Sequence, residues 1–383
     1  MSSVRQVVIL GSTGSIGIQA LEVIAAHPDK FRVVAISAGG SNVSLLLEQA
    51  RKFSVEVIGV KDNGEAVRKA AGDIQVIDGM SASSEIAAIP CDIVLNAITG
   101  SIGLGPTLAA LAAGNKVALA NKESLVAGGD LVMAFGSDRI IPVDSEHSAL
   151  YQCFLAGKVN EIKQAVITAS GGAFRDRADL GSVTLDEALA HPTWSMGPVV
   201  TINSATLVNK GLEIIEAHHL FGLPYSQIRA VIHPQSVVHS MVEYIDGASI
   251  AQVSPPNMKS PIAYALAGAE RISHVAAAID WTTSHTWTFE PIDEVRFPSI
   301  AIARECGESG GGMPAVFNAS NEVAVEAFMK NQIPFTSIID VVAKSAAKLS
   351  SSAHSVIRDI SDVSAVEEDA RQVARELIKG SSK

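Results

Sequence analysis

From Gln6 to Pro142, short runs rich in β-branched residues alternate with helical stretches. Gln6–Leu10, Phe31–Ser37, Val57–Val60, Ile93–Ala97, Lys116–Ala118 and Arg139–Pro142 are predicted as strands, punctuated by Gly, Asn and Ser. Between them, Ile16–Ala26 repeats apolar positions at helical spacing and stops before His27 and Pro28. Leu108–Ala113 does the same and ends at Gly114 and Asn115. Strands that are apolar throughout need cover on both faces, so this alternation predicts an α/β, doubly wound parallel sheet of Rossmann type.

Beyond Pro142 the pattern changes. Ile162–Ala169 is a predicted strand that closes on Ser170, Gly171 and Gly172. Thr184 and Glu187 have capping-box spacing and open a short helix that stops near His191 and Pro192. A long helix is predicted over Ala205–Leu220. Ile228–His233 and Val237–Tyr244 follow as strands, and a hairpin turn at Asp246 and Gly247 leads into Ser249–Val253. Helices and antiparallel strands in blocks indicate an α+β domain. The stretch 254–312, rich in Pro and Gly, reads partly as a connection. From Pro314 onward helices are expected over Ala315–Lys330 and Ser337–Leu349, and then a last one opened by a box from Ser364 to Glu367. In that last helix Val366, Ala370, Val373, Ala374 and Leu377 form the apolar stripe, and Gly380 follows its end. The expected division is 1–143, 144–275, a connecting region 276–312, and a helical domain 313–383.

Composition narrows the function classes. A chain of 383 residues, 48% hydrophobic and 18% charged, is long enough for two or three folded domains. A net charge of −11 without a Lys/Arg block argues against nucleic acid or an anionic membrane as partner. Cys91, Cys153 and Cys306 are odd in number and far apart, which argues against a disulfide framework and for a reducing compartment. No apolar run approaches the ~18 residues of a membrane span, and the early Arg5 leaves no signal peptide. A soluble, cytoplasmic protein is expected.

Three motifs carry candidate chemistry. Gly11, Gly14 and Gly17 lie between the first strand and the first helix, where glycines let backbone approach a pyrophosphate held on the helix N-terminus. The second strand ends in Ser37–Asn42 without the carboxylate that NAD binders place on the ribose, so NADP is favoured over NAD. Asn121, Lys122, Glu123 and Ser124 lie at the carboxyl end of a parallel strand, where such sheets bind ligands. Asp144 and Glu146 are hard oxygen donors suited to Mg²⁺ or Mn²⁺, and Glu213 offers a third; Asp144 and Ser145 are equally ordinary N-cap residues. Ser170, Ser204, Asn209 and Lys210 could converge on a phosphate, with Lys210 as the point charge. His191–Gly197 carries Trp194 between Pro192 and Gly197, the make-up of a lid.

Six segments in order, Gly11–Gly17, Leu119–Leu125, Pro142–His147, His191–Gly197, Asn209–Ala217 and Ile232–Met241, resemble the 1-deoxy-D-xylulose 5-phosphate reductoisomerase family. The resemblance spans essentially the whole chain. It implies an NADPH-binding domain, a catalytic domain and a C-terminal helical domain in a homodimer. It also implies a divalent metal (Mg²⁺, Mn²⁺ or Co²⁺) and a phosphosugar substrate. By this resemblance Thr13, Gly14, Ser15 and Ile16 hold the pyrophosphate, and Gly39, Gly40 and Asn42 the adenosine end. Asn121, Glu123 and Gly197 lie along the rest of the cofactor. Asp144, Glu146 and Glu213 bind the metal. Lys122 and Ser145 contact substrate oxygens, and Ser170, Ser204, Asn209 and Lys210 take the phosphate. His191 and Trp194 close over it, so Lys122, Asp144, Glu146, Glu213 and His191 make up the catalytic set. Some members carry a Lys where this chain has Gly40, Ser41 and Asn42, which leaves the grip on the 2′-phosphate open. Two rivals share the dinucleotide motif: a plain NADP-dependent dehydrogenase and a non-catalytic NADPH-sensing regulator. Plain hydride transfer does not need the three carboxylates, and against the regulator stand the acidic charge without a basic patch and the donors gathered near the lid.

Overall fold

A computed structural model describes residues 4–194, 196–353 and 356–381. Contacts divide the chain into two compact units. The first comprises residues up to Ser124, Val132–Ser148 and Asn257–Ala277. The second comprises Leu125–Leu131, Ala149–Pro256 and the chain from Ala278 onward. This division is interleaved, where the sequence suggested consecutive blocks.

In the first unit, β1 (Arg5–Leu10), α1 (Ser15–Ala26), β2 (Phe31–Ala38), α2 (Val43–Lys52), β3 (Val57–Val60), α3 (Gly64–Ala71), β4 (Gln75–Asp78), α4 (Ala82–Ala87), β5 (Ile93–Asn96), α5 (Leu104–Ala112), β6 (Lys116–Leu119) and β7 (Ile140–Pro142) follow one another; between β6 and β7 runs α6 (Glu123–Met133), whose middle, Leu125–Leu131, belongs to the second unit. The strands form a parallel sheet in the order β4-β3-β2-β1-β5-β6-β7. Strand order reverses between β1 and β5, and the crevice at such a reversal is where open sheets bind ligands. Val7, Ile9, Val33, Ile36, Ile58 and Leu95 are buried from this sheet against Leu21, Ile24 and Leu46 of the helices. The predicted strands are all present. β4 escaped the sequence pattern because it is short and half-exposed at the sheet edge.

Besides the middle of α6, the second unit takes α7 (Ser145–Phe154) from Ala149 onward and contains β8 (Ile162–Ala169), α8 (Leu185–Leu189), α9 (Pro198–Ala205), α10 (Val208–Phe221), β9 (Ile228–Ile232), β10 (Val238–Tyr244) and β11 (Ser249–Val253). Its sheet runs β11-β10-β8-β9 and then a short strand at Glu290–Pro291, β12, in mixed sense, with β8 and β9 parallel and the other pairs antiparallel. The segment expected as a connection holds three elements: α11 (Lys259–Leu266), β12 (Glu290–Pro291) and α12 (Ser299–Ser309). α11 packs in the first unit, where Ile262, Ala263 and Leu266 join the core and Lys259 pairs with Glu22 of α1 at 2.8 Å. Helices α13 (Met313–Met329), α14 (Ser337–Leu349) and α15 (Ile360–Ser381) complete the chain. The last helix starts four residues before the predicted box. The Asp359 carboxylate accepts the Ser361 and Asp362 N–H groups there, while Ser364 donates back to Ile360 O from inside the helix. No helix among the described residues is long and apolar enough to cross a membrane.

Candidate active site

The glycine-rich turn after β1 is held from below. Gly11 N and Ser12 N both donate to Ser37 O at the end of β2, and Gln49 of α2 donates to Ser12 O at 2.9 Å. Two glycines are required by contact. A side chain at Gly11 would place its Cβ 2.7 Å from Ala97 O, and one at Gly17 2.3 Å from Gly11 O. Gly14 is the N-cap of α1 and provides no side-chain cap, so the first-turn N–H groups of that helix stay available to an anion. Thr13, Ser15 and Ile16 surround that terminus, and Gly14 and Ser15 are exposed. At the end of β2, Gly39 is open to approach, and Gly40 (φ +99°) lies under Asp62 O. Asn42 caps α2 by accepting the Leu45 N–H at 3.1 Å. Tertiary structure brings two charged neighbours to this turn that the local sequence does not show. Lys61 N donates to Ala38 O and Asp62 N to Gly39 O.

Two strand ends supply the second cluster of this unit. After β6, Asn121 donates to Ile98 O, Gly100 O and Glu123 Oε2 and accepts from Ser124, which fastens this turn to the one after β5. Asn121, assigned to the cofactor by resemblance, therefore already serves as a strap. Lys122 Nζ lies 2.9 Å from Asp144 Oδ2, both side chains largely buried. Asp144 Oδ1 accepts the Glu146 N–H at 3.2 Å and lies 3.3 Å from His147 Nδ1. The capping reading of Asp144 thus holds, and the pairing with Lys122 is an addition the sequence did not suggest. Burial pushes the Asp144 carboxyl up, but the Lys122 ammonium and the His147 ring outweigh it and hold it well below the usual carboxylate range. Ser145 Oγ donates to Glu146 Oε2 at 2.5 Å, and Glu146 and Asp144 offer oxygens within 4.8 Å of each other. His147, fully buried, was missed as a partner; its spacing of three from Asp144 on a helix was the available signal.

The second unit gathers the remaining residues. Ser170 follows the end of β8, and Gly172 packs so closely on the end of α9 that a Cβ there would lie 2.5 Å from Ser204 O. His191 joins the two serines: its Nε2 is 3.0 Å from Ser170 Oγ and 3.1 Å from Ser204 Oγ. Its Nδ1 accepts the backbone N–H groups of Thr193 and Trp194 at 3.1 and 2.9 Å. Backbone N–H groups can only donate, so the ring proton sits on Nε2 and faces the serine oxygens. Burial, and then the Arg175 guanidinium, lower the His191 pKa and keep the ring neutral. Arg175, whose Nη1 also donates to Ser170 O, has no local sequence signal beyond a cation after two glycines.

The predicted continuous helix over Ala205–Leu220 is broken. α9 ends at Ala205, Leu207 takes a left-handed conformation (φ 58°), and α10 starts at Val208. For a leucine this backbone costs about 1–2 kcal/mol. The buried Leu207 side chain joins Phe328, Phe335 and Ile338 in the core, which offsets that cost at about 1.5–3 kcal/mol. On α10, Asn209 Nδ2 donates to Glu213 Oε1 at 2.5 Å, and Lys210 Nζ pairs with Glu213 Oε2. Lys210 and Glu213 are almost wholly buried. Trp194 is half-buried with its ring 6.3 Å from that of His239, and Gly197 caps α9 in open space. Ser195 lies outside the described residues.

Three family models match the chain: 1-deoxy-D-xylulose 5-phosphate reductoisomerase over residues 7–129, its C-terminal domain over 140–221, and a DXP reductoisomerase C-terminal domain over 253–373. The 1-deoxy-D-xylulose 5-phosphate reductoisomerase of Kitasatospora griseola is 52% identical over 97% of this chain and 100% of its own. That of Paenarthrobacter aurescens is 51% identical over 94% and 95%. Among solved structures, the Zymomonas mobilis reductoisomerase in complex with NADPH superposes with a TM-score of 0.91 at 38% identity, covering 98% of this chain and 99% of that one. A DOX-P reductoisomerase in complex with NADPH, fosmidomycin and magnesium also gives 0.91 at 38% identity, covering 98% of both chains.

Proposed function

The chain belongs to the 1-deoxy-D-xylulose 5-phosphate reductoisomerase family, and from that premise we propose how its residues divide the work. The activity is the isomerisation of 1-deoxy-D-xylulose 5-phosphate and its reduction with NADPH to 2-C-methyl-D-erythritol 4-phosphate, dependent on a divalent metal, in isoprenoid precursor synthesis. The observation that carries the assignment of roles is the Lys122–Asp144 pair at the carboxyl ends of adjacent parallel strands.

Asp144, Glu146 and Glu213 are the metal ligands in this reading. Their donor set fits a hard cation: carboxylate oxygens only, with Asp144 and Glu146 close together and Asp144 kept ionised. When bound, the divalent ion supplies Lewis-acid polarisation of a carbonyl, and NADPH supplies the hydride. Lys122 and Ser145 orient the substrate oxygens. Lys122 carries a charge-assisted hydrogen bond that it can share between Asp144 and a substrate oxygen. Ser170, Ser204, Asn209 and Lys210 take the phosphate, with the Nε2–H of His191 orienting both serine hydroxyls. Binding energy at this non-reacting group is then available to hold the lid at Trp194 over the carbon skeleton and exclude water. The uncapped start of α1 receives the pyrophosphate, with Thr13, Gly14, Ser15 and Ile16 around it. Gly39, Gly40 and Asn42 border the adenosine end, and Asn121, Glu123 and Gly197 the remainder of the cofactor. The functional division follows as 1–143 for cofactor, 144–275 for metal and substrate, and 313–383 for support, with 276–312 between. A cytoplasmic homodimer completes the reading. Cys91, Cys153 and Cys306 as free thiols support the compartment, and the family resemblance supports the dimer.

The test is NADPH oxidation with 1-deoxy-D-xylulose 5-phosphate, with Mg²⁺ or Mn²⁺ and with a chelator. Turnover that stops on chelation is expected. Metal-independent turnover would overturn the assignment of the carboxylates, and tight NADPH binding without turnover would overturn the catalytic reading altogether.

A further inference from the structure

We infer that Asn321 and Ser299, on the C-terminal helices, are positioning residues for the phosphate grip, acting through the elbow between α9 and α10. The inference rests on the reading that Ser204, Asn209 and Lys210 take the substrate phosphate.

The elbow decides where those three side chains point. In one unbroken helix, Ser204 and Asn209 would stand about 140° apart around the axis. The left-handed Leu207 removes that constraint and sets a new relation between the last turn of α9 and the first turn of α10. A leucine adopts this conformation only where its surroundings over-determine it. Here they do so at three points. Asn321 of α13 donates from Nδ2 to Asn203 Oδ1 at 2.9 Å, one residue before Ser204. Ser299, the first residue of α12, donates from Oγ to Thr206 O at 2.7 Å, one residue before Leu207. Gly172 lies against Ser204 O with no room for a side chain. Asn321, Ser299 and Thr206 are each at most 2% exposed.

The pair Asn203–Asn321 is unusual on energetic grounds. Asn321 Oδ1 is buried and accepts no hydrogen bond from any of the described residues. Two apolar side chains of similar shape would bury here without leaving an acceptor orphaned. A directional bond retained at that cost sets the rotation and height of α9 against α13, which is the best-attested use of a buried polar pair. Ser299 acts on the other side of the break. The Thr206 carbonyl has left the helical ladder, and the serine hydroxyl satisfies it in the geometry that the elbow needs.

The experiment compares Asn321→Leu and Ser299→Ala with the wild type on two ketoses: 1-deoxy-D-xylulose 5-phosphate and 1-deoxy-D-xylulose without the phosphate. Inhibition by inorganic phosphate and NADPH affinity are read in parallel. Asn321→Leu removes one orphan acceptor but leaves Asn203 Oδ1 without its donor, so it is expected to fold with an unfolding midpoint near or somewhat below that of the wild type. Its KM for the phosphorylated ketose should rise about tenfold, with inorganic phosphate weakened in step, because a misplaced donor loses most of one charge-assisted contact. kcat should change much less. NADPH affinity and the slow rate on the unphosphorylated ketose should not change. Ser299→Ala should show the same split, and Ser299→Thr, which keeps a hydroxyl, should restore it. Combining Asn321→Leu with Ser204→Ala should add little to Ser204→Ala alone. A well-folded Asn321→Leu with unaltered KM, or an equal loss on both ketoses, would overturn the inference. If Ser204→Ala and Lys210→Met themselves leave inorganic phosphate inhibition intact, the assignment of the phosphate site fails first and the inference falls with it.

Discussion

His191 is the sharpest point at which to test the architecture. Its ring joins four groups: Ser170 and Ser204 through Nε2, and the N–H groups of Thr193 and Trp194 through Nδ1. The single Nε2 proton is shared between two oxygens and counts as one bond, so removing the ring removes about three. At about 0.5–1.5 kcal/mol each, the loss is about 2–4 kcal/mol. If these bonds serve to arrange the phosphate donors and the lid, the loss falls on transition-state stabilisation, and kcat/KM should drop by roughly 30- to 1000-fold in His191→Ala. The two halves of the ring can be separated. His191→Asn carries an acceptor near the Nδ1 position and should keep the loop anchored while releasing the serines. His191→Gln reaches toward the serines and should keep a donor there while freeing the loop. Steady-state NADPH oxidation at saturating metal, with KM and kcat resolved, distinguishes these cases. The pH dependence is fixed in sign. The folded pKa is lowered, so the neutral hub is intact above the ordinary histidine value and is lost as pH falls through the lowered one. Activity of His191→Ala within threefold of wild type would refute the reasoning, since it would show that serines and loop hold their places without the ring.

Glu213→Gln should raise the Mn²⁺ concentration needed for half-maximal activity by about tenfold while leaving NADPH affinity near that of wild type; full activity at limiting metal would remove Glu213 from the ligand set. Gly17→Ala drives a Cβ to 2.3 Å from the Gly11 carbonyl and should cost about 1–3 kcal/mol, seen as a lower unfolding midpoint and weaker NADPH binding. His219 is pushed down to about 4 by burial, and then by His218, with Asp130 opposing. Its neutral form therefore contributes stability that is complete above the ordinary value near 6.5 and is lost by roughly 3 kcal/mol as pH falls to about 4. Urea midpoints across that interval should be flatter in His219→Gln, and an unchanged slope would place the pH sensitivity elsewhere. Trp194→Ala should raise KM and lower kcat together, as lost gating does, and Trp194→Phe much less; unchanged constants in both would make the loop structural.

What the sequence determined by itself is the first sheet, the glycine-rich turn and the identity of the charged residues at the strand ends. These rest on local physics. Uniformly apolar strands such as Val7–Leu10 admit one kind of sheet, and Gly11 and Gly17 have to be glycine because backbone passes within 3 Å of where a Cβ would sit. The capping box at Thr184 and Glu187 is likewise satisfied within four residues. Tertiary structure decided the rest. No spacing rule breaks a helix between Ala205 and Val208, where the residues are Thr206 and Leu207; the break exists because Leu207 finds a core built by helices more than a hundred residues later, and Ser299 accommodates the freed carbonyl. α11 reads as part of a Pro-rich connection because it is short and apolar on nearly every side. It is a helix because the first unit offers it a surface to bury that side chain set against. The resemblance set His191 on a closing loop, whereas its bonds to Ser170 and Ser204, one at a strand end and one on a helix, join residues whose meeting no local pattern encodes. Local interactions are written in neighbouring residues, whereas a group's protonation, tautomer and direction depend on partners that only the folded chain brings within hydrogen-bonding distance.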